Sequence, residues 1–165
     1  MGMRPGQRIV VISGGTASGK SVLARALIHE LSDSWHLLQA DDFIGPADIE
    51  RAGRGEWDPD GRRICRRMLN EAAASWVERA KVSLLVEGYF KEVGEVDRLL
   101  AAVGAPAGDE RALIIHLLAS EAEARRRRPY ETPRFAEVHP RALTFDSDGK
   151  SPAQVLEWAR GVIGA

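Results

Sequence analysis

The sequence predicts an α/β fold in which a five-stranded parallel sheet carries helices on both faces. Three observations support this. Short apolar runs rich in Val, Ile and Leu alternate with stretches whose apolar residues recur at helical spacing, the pattern of strand-helix-strand units with right-handed crossovers. A glycine-rich loop joins the first run to the first helical stretch. The length of 165 residues suits one domain, 1–165, able to bury a full core without metal or disulfide support.

Arg8 to Ser13 (RIVVIS) is the first buried strand, and from Lys20 to Leu31 the apolar Val22, Leu23, Ala26, Leu27 and Leu31 mark the first helix. His36 to Ala40 (HLLQA) is the second strand, breaking into Asp41-Asp42-Phe43 and a Gly- and Pro-punctuated loop that runs to Asp60. Ile64, Met68, Leu69, Ala72, Ala73, Trp76, Val77 and Ala80 trace one apolar helix face, with Cys65 beside it. Val82 to Val86 is the third strand, ending at Glu87-Gly88, and Val96 to Val103 is a short helix. Arg111 to Leu118 is the fourth strand, after which Ser120 caps a helix that carries Arg125 to Arg128. Pro129 to Pro140 holds three prolines and is expected to be irregular. Ala142 to Phe145 is the fifth strand, Asp146 to Lys150 a turn, and Ser151-Pro152 cap a last helix to about Ile163.

Composition narrows the partners. Lys plus Arg number 23 against 24 Asp plus Glu, so no bulk field attracts nucleic acid or an anionic membrane. Arg62, Arg63, Arg66 and Arg67 form a local basic patch. The lone Cys65 excludes an internal disulfide and a multi-cysteine metal site. Apolar runs fall short of the roughly 20 residues that span a bilayer, and Met1 to Gln7 lacks a signal-peptide core, so a cytoplasmic protein is expected.

The chemistry starts at SGGTASGKS. Gly14, Gly19, Lys20 and Ser21 fit G-x-x-x-x-G-K-[ST], the phosphate-binding loop or P-loop, and the resemblance to P-loop NTPases that it carries implies a three-layer fold with sheet order 2-3-1-4-5. Backbone N–H groups from Gly14, Gly15, Thr16, Ala17, Ser18 and Gly19 through Lys20, Ser21 and Val22 are expected to cradle the phosphates of ATP. Lys20 reaches the β- and γ-phosphates, and Ser21 ligates Mg²⁺. Asp41 and Asp42 stand at the C-terminal end of a strand, where ligands bind in open α/β sheets; a carboxylate there can deprotonate an acceptor hydroxyl or hold Mg²⁺ through water. Adjacent strand residues point to opposite faces, so the choice between the two stays open. Glu87, closing the third strand, has the position of a Walker-B acid. The Arg125 to Arg128 run precedes the proline-rich segment, and one or two of its guanidiniums are expected to close over the transferring phosphate as part of a lid at about residues 125–141.

These residues together resemble the small P-loop kinases of nucleosides, the uridine kinase and nicotinamide riboside kinase group, nearly from end to end. SGGTASGKS resembles their P-loop, LLQADDF their second strand with its catalytic Asp, LLVEGYF their third strand, ARRRRPY their Arg-rich lid, and TFDSDGKSPAQVL their last strand, adenine-side loop and final helix. The resemblance implies that Asp41 is the general base, that Asp42, Phe43 and Tyr89 border the acceptor, and that Glu87 holds Mg²⁺ through its waters. Arg128, with Arg125 behind it, would be the lid arginine. Trp57-Asp58 matches the aromatic-Asp pair of the riboside kinases, so Asp58 would bind ribose hydroxyls; a turn Asp before Pro59 is the plain alternative. The lid is shorter than theirs, His139-Pro140 replaces an aromatic-Pro pair, and the segment between Gly88 and Arg111 matches no pattern of theirs. The P-loop, Asp and Glu positions are shared with kinases of the chloramphenicol phosphotransferase, gluconate kinase and shikimate kinase types.

The expectation is an ATP- and Mg²⁺-dependent phosphotransferase acting on a small-molecule hydroxyl, a nucleoside or riboside first and an antibiotic or sugar second, working as a monomer or homodimer. A regulatory NTPase module is the competing class, though no N-K-x-D run marks a guanine site. A nucleic-acid end kinase lacks the aromatic-basic clusters it needs.

Overall fold

The computed structural model describes residues 2–45, 48, 51, 54 and 58–164. Five parallel strands form one sheet, β1 (Ile9–Gly14), β2 (Trp35–Gln39), β3 (Ser83–Glu87), β4 (Ala112–Leu118) and β5 (Leu143–Asp146), in the order β2-β3-β1-β4-β5. The helices whose residues are all described are α1 (Lys20–Glu30), α2 (Pro59–Ser75), α3 (Val93–Ala102), α4 (Glu121–Arg127) and α5 (Pro152–Ile163). The fold class and strand order match the sequence expectation.

β1 explains why the sheet is covered on both sides. Its side chains alternate between faces with period two, and Ile9 through Ile12 are all fully buried. Ile9 and Val11 join a core with Leu69 and Ala73 of α2 and Leu99 and Leu100 of α3. Val10 and Ile12 join the opposite core with Leu23 and Leu27 of α1 and Val155 and Ala159 of α5. Leu85 of β3 is fully buried in that second core. Leu85→Ala is expected to lower the unfolding free energy by about 2–5 kcal/mol, read from urea denaturation, because a filled site becomes a cavity.

Local signals fix the helix ends. Ser120 Oγ accepts from Glu123 N at 3.1 Å, and Ser151 with Gln154 forms a reciprocal capping box before Pro152. Asp58 caps α2 by accepting from Asp60 N and Gly61 N, both at 3.2 Å. A π-helical turn, Trp76–Ala80, extends α2 and stops at Lys81, whose φ is 60°.

The α2 face differs from the expected one. Ile64 and Met68 are 48% and 46% exposed, whereas Arg66, Leu69 and Ala73 are buried. The inward stripe is rotated toward Arg62 and Arg66 because Glu95 of α3 supplies a carboxylate to both. The four-arginine patch is thereby divided: Arg63 and Arg67 stay at the surface beside Asp60 and Glu71.

Candidate active site

The strand ends and the loops after them frame a cleft of about 440 Å³. Its floor is the P-loop. Gly14 and Gly15 pack so closely that a Cβ on Gly14 would lie 2.5 Å from Leu117 O, and one on Gly15 2.6 Å from Arg134 O. Gly19, at φ 92°, turns the chain into α1, whose start carries no side-chain cap and no acidic residue. Uncapped N–H groups and the positive helix end therefore meet the cleft, an arrangement that attracts phosphate.

Lys20 and Ser21 follow at once on α1. Lys20 Nζ donates to Gly15 O at 2.9 Å. Burial pushes the Lys20 ammonium below its ordinary pKa, while the carboxylates of Glu87 and Asp41 pull the other way. Ser21 Oγ donates to Glu87 Oε1 at 3.2 Å, and Gln39 Nε2 donates to Glu87 Oε2 at 3.0 Å. Glu87 is only 3% exposed, and its register opposite both Gln39 of β2 and Ile12 of β1 holds it at the centre of the sheet edge. Gly88 comes next, where a Cβ would lie 2.7 Å from the Ala40 Cβ.

After β2 the chain forms a 3-10 turn, Ala40–Phe43, rather than continuing as strand. That turn separates the two aspartates: Asp41 lines the cleft and Asp42 does not. Phe43 packs against the core instead, and Tyr89 lines the cleft.

Residues 129–140, irregular apart from turns as expected, cross to the P-loop: Thr16 N donates to Arg134 O at 2.8 Å and Arg134 N donates to Thr16 Oγ1 at 3.1 Å. Tyr89 Oη donates to Phe135 O at 3.1 Å. Of the arginine run, Arg126, Arg127 and Arg128 line the cleft. Arg125 is turned outward onto Glu121 at 2.7 Å, and Arg128 pairs with Glu131 at 2.7 Å.

Three residues were not singled out from the sequence, Arg127 standing there only as one of a run of four. Arg127 donates to Ala17 O at 2.9 Å, to Ser147 Oγ at 3.1 Å and to Ser147 O at 2.6 Å, so it ties the P-loop to the loop after β5. Its signal was present in Glu123, which lies one turn back and braces it at 2.6 Å. Arg66 and Arg134 also line the cleft. Asp58, in contrast, lies outside the cleft lining as a helix cap, and Trp57 falls outside the described residues.

A P-loop, a strand-end glutamate and a turn aspartate around one cleft agree with a family comparison, in which the model for chloramphenicol phosphotransferase-like proteins matches residues 7–99. The chain belongs to the chloramphenicol phosphotransferase-like family. Membership makes it a phosphotransferase acting on small molecules. The matched span runs from β1 to within α3 and includes the P-loop, Asp41 and Glu87.

Solved structures agree on the fold. A sugar kinase from a Janibacter species is 20% identical with a TM-score of 0.67, covering 95% of this chain and 94% of that one. The tunicamycin resistance protein of Deinococcus radiodurans is 15% identical, TM-score 0.61, with 96% of each chain covered. Thymidylate kinase from Candida albicans is 14% identical, TM-score 0.61, covering 96% of this chain and 91% of that one. No curated protein matches the chain. Among the described residues, no helix is long and apolar enough to cross a membrane.

Proposed function

We propose that this family member transfers the γ-phosphoryl group of ATP to a hydroxyl of a small molecule, with Mg²⁺ as its metal. One observation carries the reading: Lys20, the Ser21–Glu87 pair and Asp41 converge on one cleft floored by an uncapped helix start. The donor set suits Mg²⁺, which takes a hydroxyl and a carboxylate with waters and phosphate oxygens completing its shell. When bound, the metal would supply positive charge that offsets the charge of the phosphates. Ser21 would hold it directly and Glu87 through water.

The P-loop amides and Lys20 hold the nucleotide and neutralise charge as it grows on the transferring group. Asp41 takes the acceptor hydroxyl proton as the new oxygen–phosphorus bond forms and the bond to the β–γ bridging oxygen breaks, releasing ADP. Arg126, Arg127 and Arg128 add positive charge along the nucleotide side. Arg127→Ala is expected to weaken ADP binding about tenfold, equivalent to roughly 1.4 kcal/mol, by calorimetry, since the Ala17 and Ser147 carbonyls lose their donor.

Two acceptor classes compete. The riboside reading rests on the resemblance to nucleoside kinases, and its ribose-binding Asp58 sits at a helix cap. The family match favours an antibiotic acceptor. ADP release measured with nucleosides, ribosides, sugars and aminocyclitols tests both: stimulation by one class is expected, and none by any member would count against the kinase reading. The whole of 1–165 is read as one kinase domain, with 125–141 as its lid.

A further inference from the structure

We propose that the acceptor carries an anionic group, a carboxylate or phosphate, bound by Arg66 and Arg134 on the Tyr89 side of the cleft; this rests on the kinase reading above. Both arginines line the cleft. The Arg66 side chain is 9% exposed, its Nη2 donates to Tyr89 O, and its guanidinium lies 4.8 Å from the Phe90 ring centre. Its Nε and Nη1 are buried without a hydrogen-bond partner. Arg134 Nε is likewise buried and unpartnered, and its guanidinium stands 5.0 Å from the Tyr89 ring centre.

The nearest paired carboxylate is already engaged. Glu95 accepts from Arg62 Nε and Nη2, both at 2.8 Å, and from Lys91 N at 2.7 Å. Arg66 Nε lies 3.6 Å from Glu95 Oε1, beyond hydrogen-bond range. Burial and Arg62 push the Arg66 pKa down while Glu95 and Asp41 pull it up. A guanidinium does not shed its proton in a protein, so its idle N–H groups call for an acceptor beyond the Glu95 ion pair.

Holding the Tyr89 carbonyl takes one Nη and leaves two N–H-bearing nitrogens of Arg66 idle in the cleft wall, which native interiors seldom tolerate. A carboxylate or phosphate offers several lone pairs to such donors, and its negative charge suits the guanidinium. A neutral sugar or antibiotic hydroxyl does not.

Paired acceptors test this: neutral sugars, nucleosides and polyols against their phosphate esters and carboxylic acids, followed by ADP release with ³¹P NMR to identify the product. An anionic member is expected to exceed its neutral partner at least tenfold in kcat/KM, and Arg66→Gln to collapse that ratio toward one. Arg66→Lys, which keeps the charge but loses the planar set of N–H donors, should recover only part of it. ADP affinity by calorimetry reports whether each variant is folded; if Arg66→Gln is not, Arg134→Gln carries the same test. The proposal is overturned if the neutral partners do as well or better, if no anionic member turns over, or if the folded variants keep the wild-type ratio. Turnover of neutral acceptors alone would leave the kinase reading intact, and no turnover by any acceptor would remove both.

Discussion

Asp41→Asn is expected to lower kcat by about 10²–10⁴-fold while ADP affinity stays within about twofold of wild type, the effect of losing a positioned general base. Asn keeps the size and hydrogen-bonding reach of Asp but cannot take the hydroxyl proton. Asp41 sits on an exposed turn with no packing duty in either core, so the variant should fold. Single-turnover rates with saturating ATP and acceptor, beside calorimetry with ADP, separate the possibilities. A collapse of ADP binding would instead make Asp41 a metal-side or structural residue.

Lys20→Met should cost about 10²–10³-fold in kcat/KM, on the scale seen when one hydrogen-bond donor to a transition state is removed, or roughly 2.7–4 kcal/mol. Against the lowering by burial, Glu87 and Asp41 are the two carboxylates that most raise the pKa of the Lys20 ammonium. Losing it leaves those carboxylates without the positive charge that offsets them, so nucleotide phosphates meet a more negative cleft. ADP affinity should therefore fall as well, unlike in Asp41→Asn. The contrast between the two variants assigns one residue to phosphate binding and the other to proton transfer. Equal losses of ADP affinity in both would contradict the division of roles.

Much of this was legible in the chain because it is set locally. Glycines at 14 and 19 are dictated by backbone packing and left-handed turns, and Ser120 and Ser151 cap their helices with their own side chains. β1 reads as a buried strand since every residue from Ile9 to Ile12 must suit an apolar face. What was not legible depends on partners distant in sequence. Arg66 faces inward because Glu95, on another helix, reaches it, so the apolar pattern alone drew the α2 face through the exposed Ile64 and Met68. Arg127 became the cleft's bridging arginine because helix α4 presents it to Ala17 and Ser147, a phase that the four arginines alone do not disclose and that only Glu123, one turn back, hints at. Asp41 and Asp42 were ambiguous under strand alternation, and the 3-10 turn that replaces it turns Asp41 toward the cleft.

The most direct test of phosphoryl transfer is a ³¹P NMR time course of the protein with ATP, Mg²⁺ and an accepted small molecule. A new phosphomonoester resonance growing in step with ADP is the predicted result. Inorganic phosphate appearing in its place, with the acceptor unchanged, would contradict it and mark the protein as a nucleotide hydrolase.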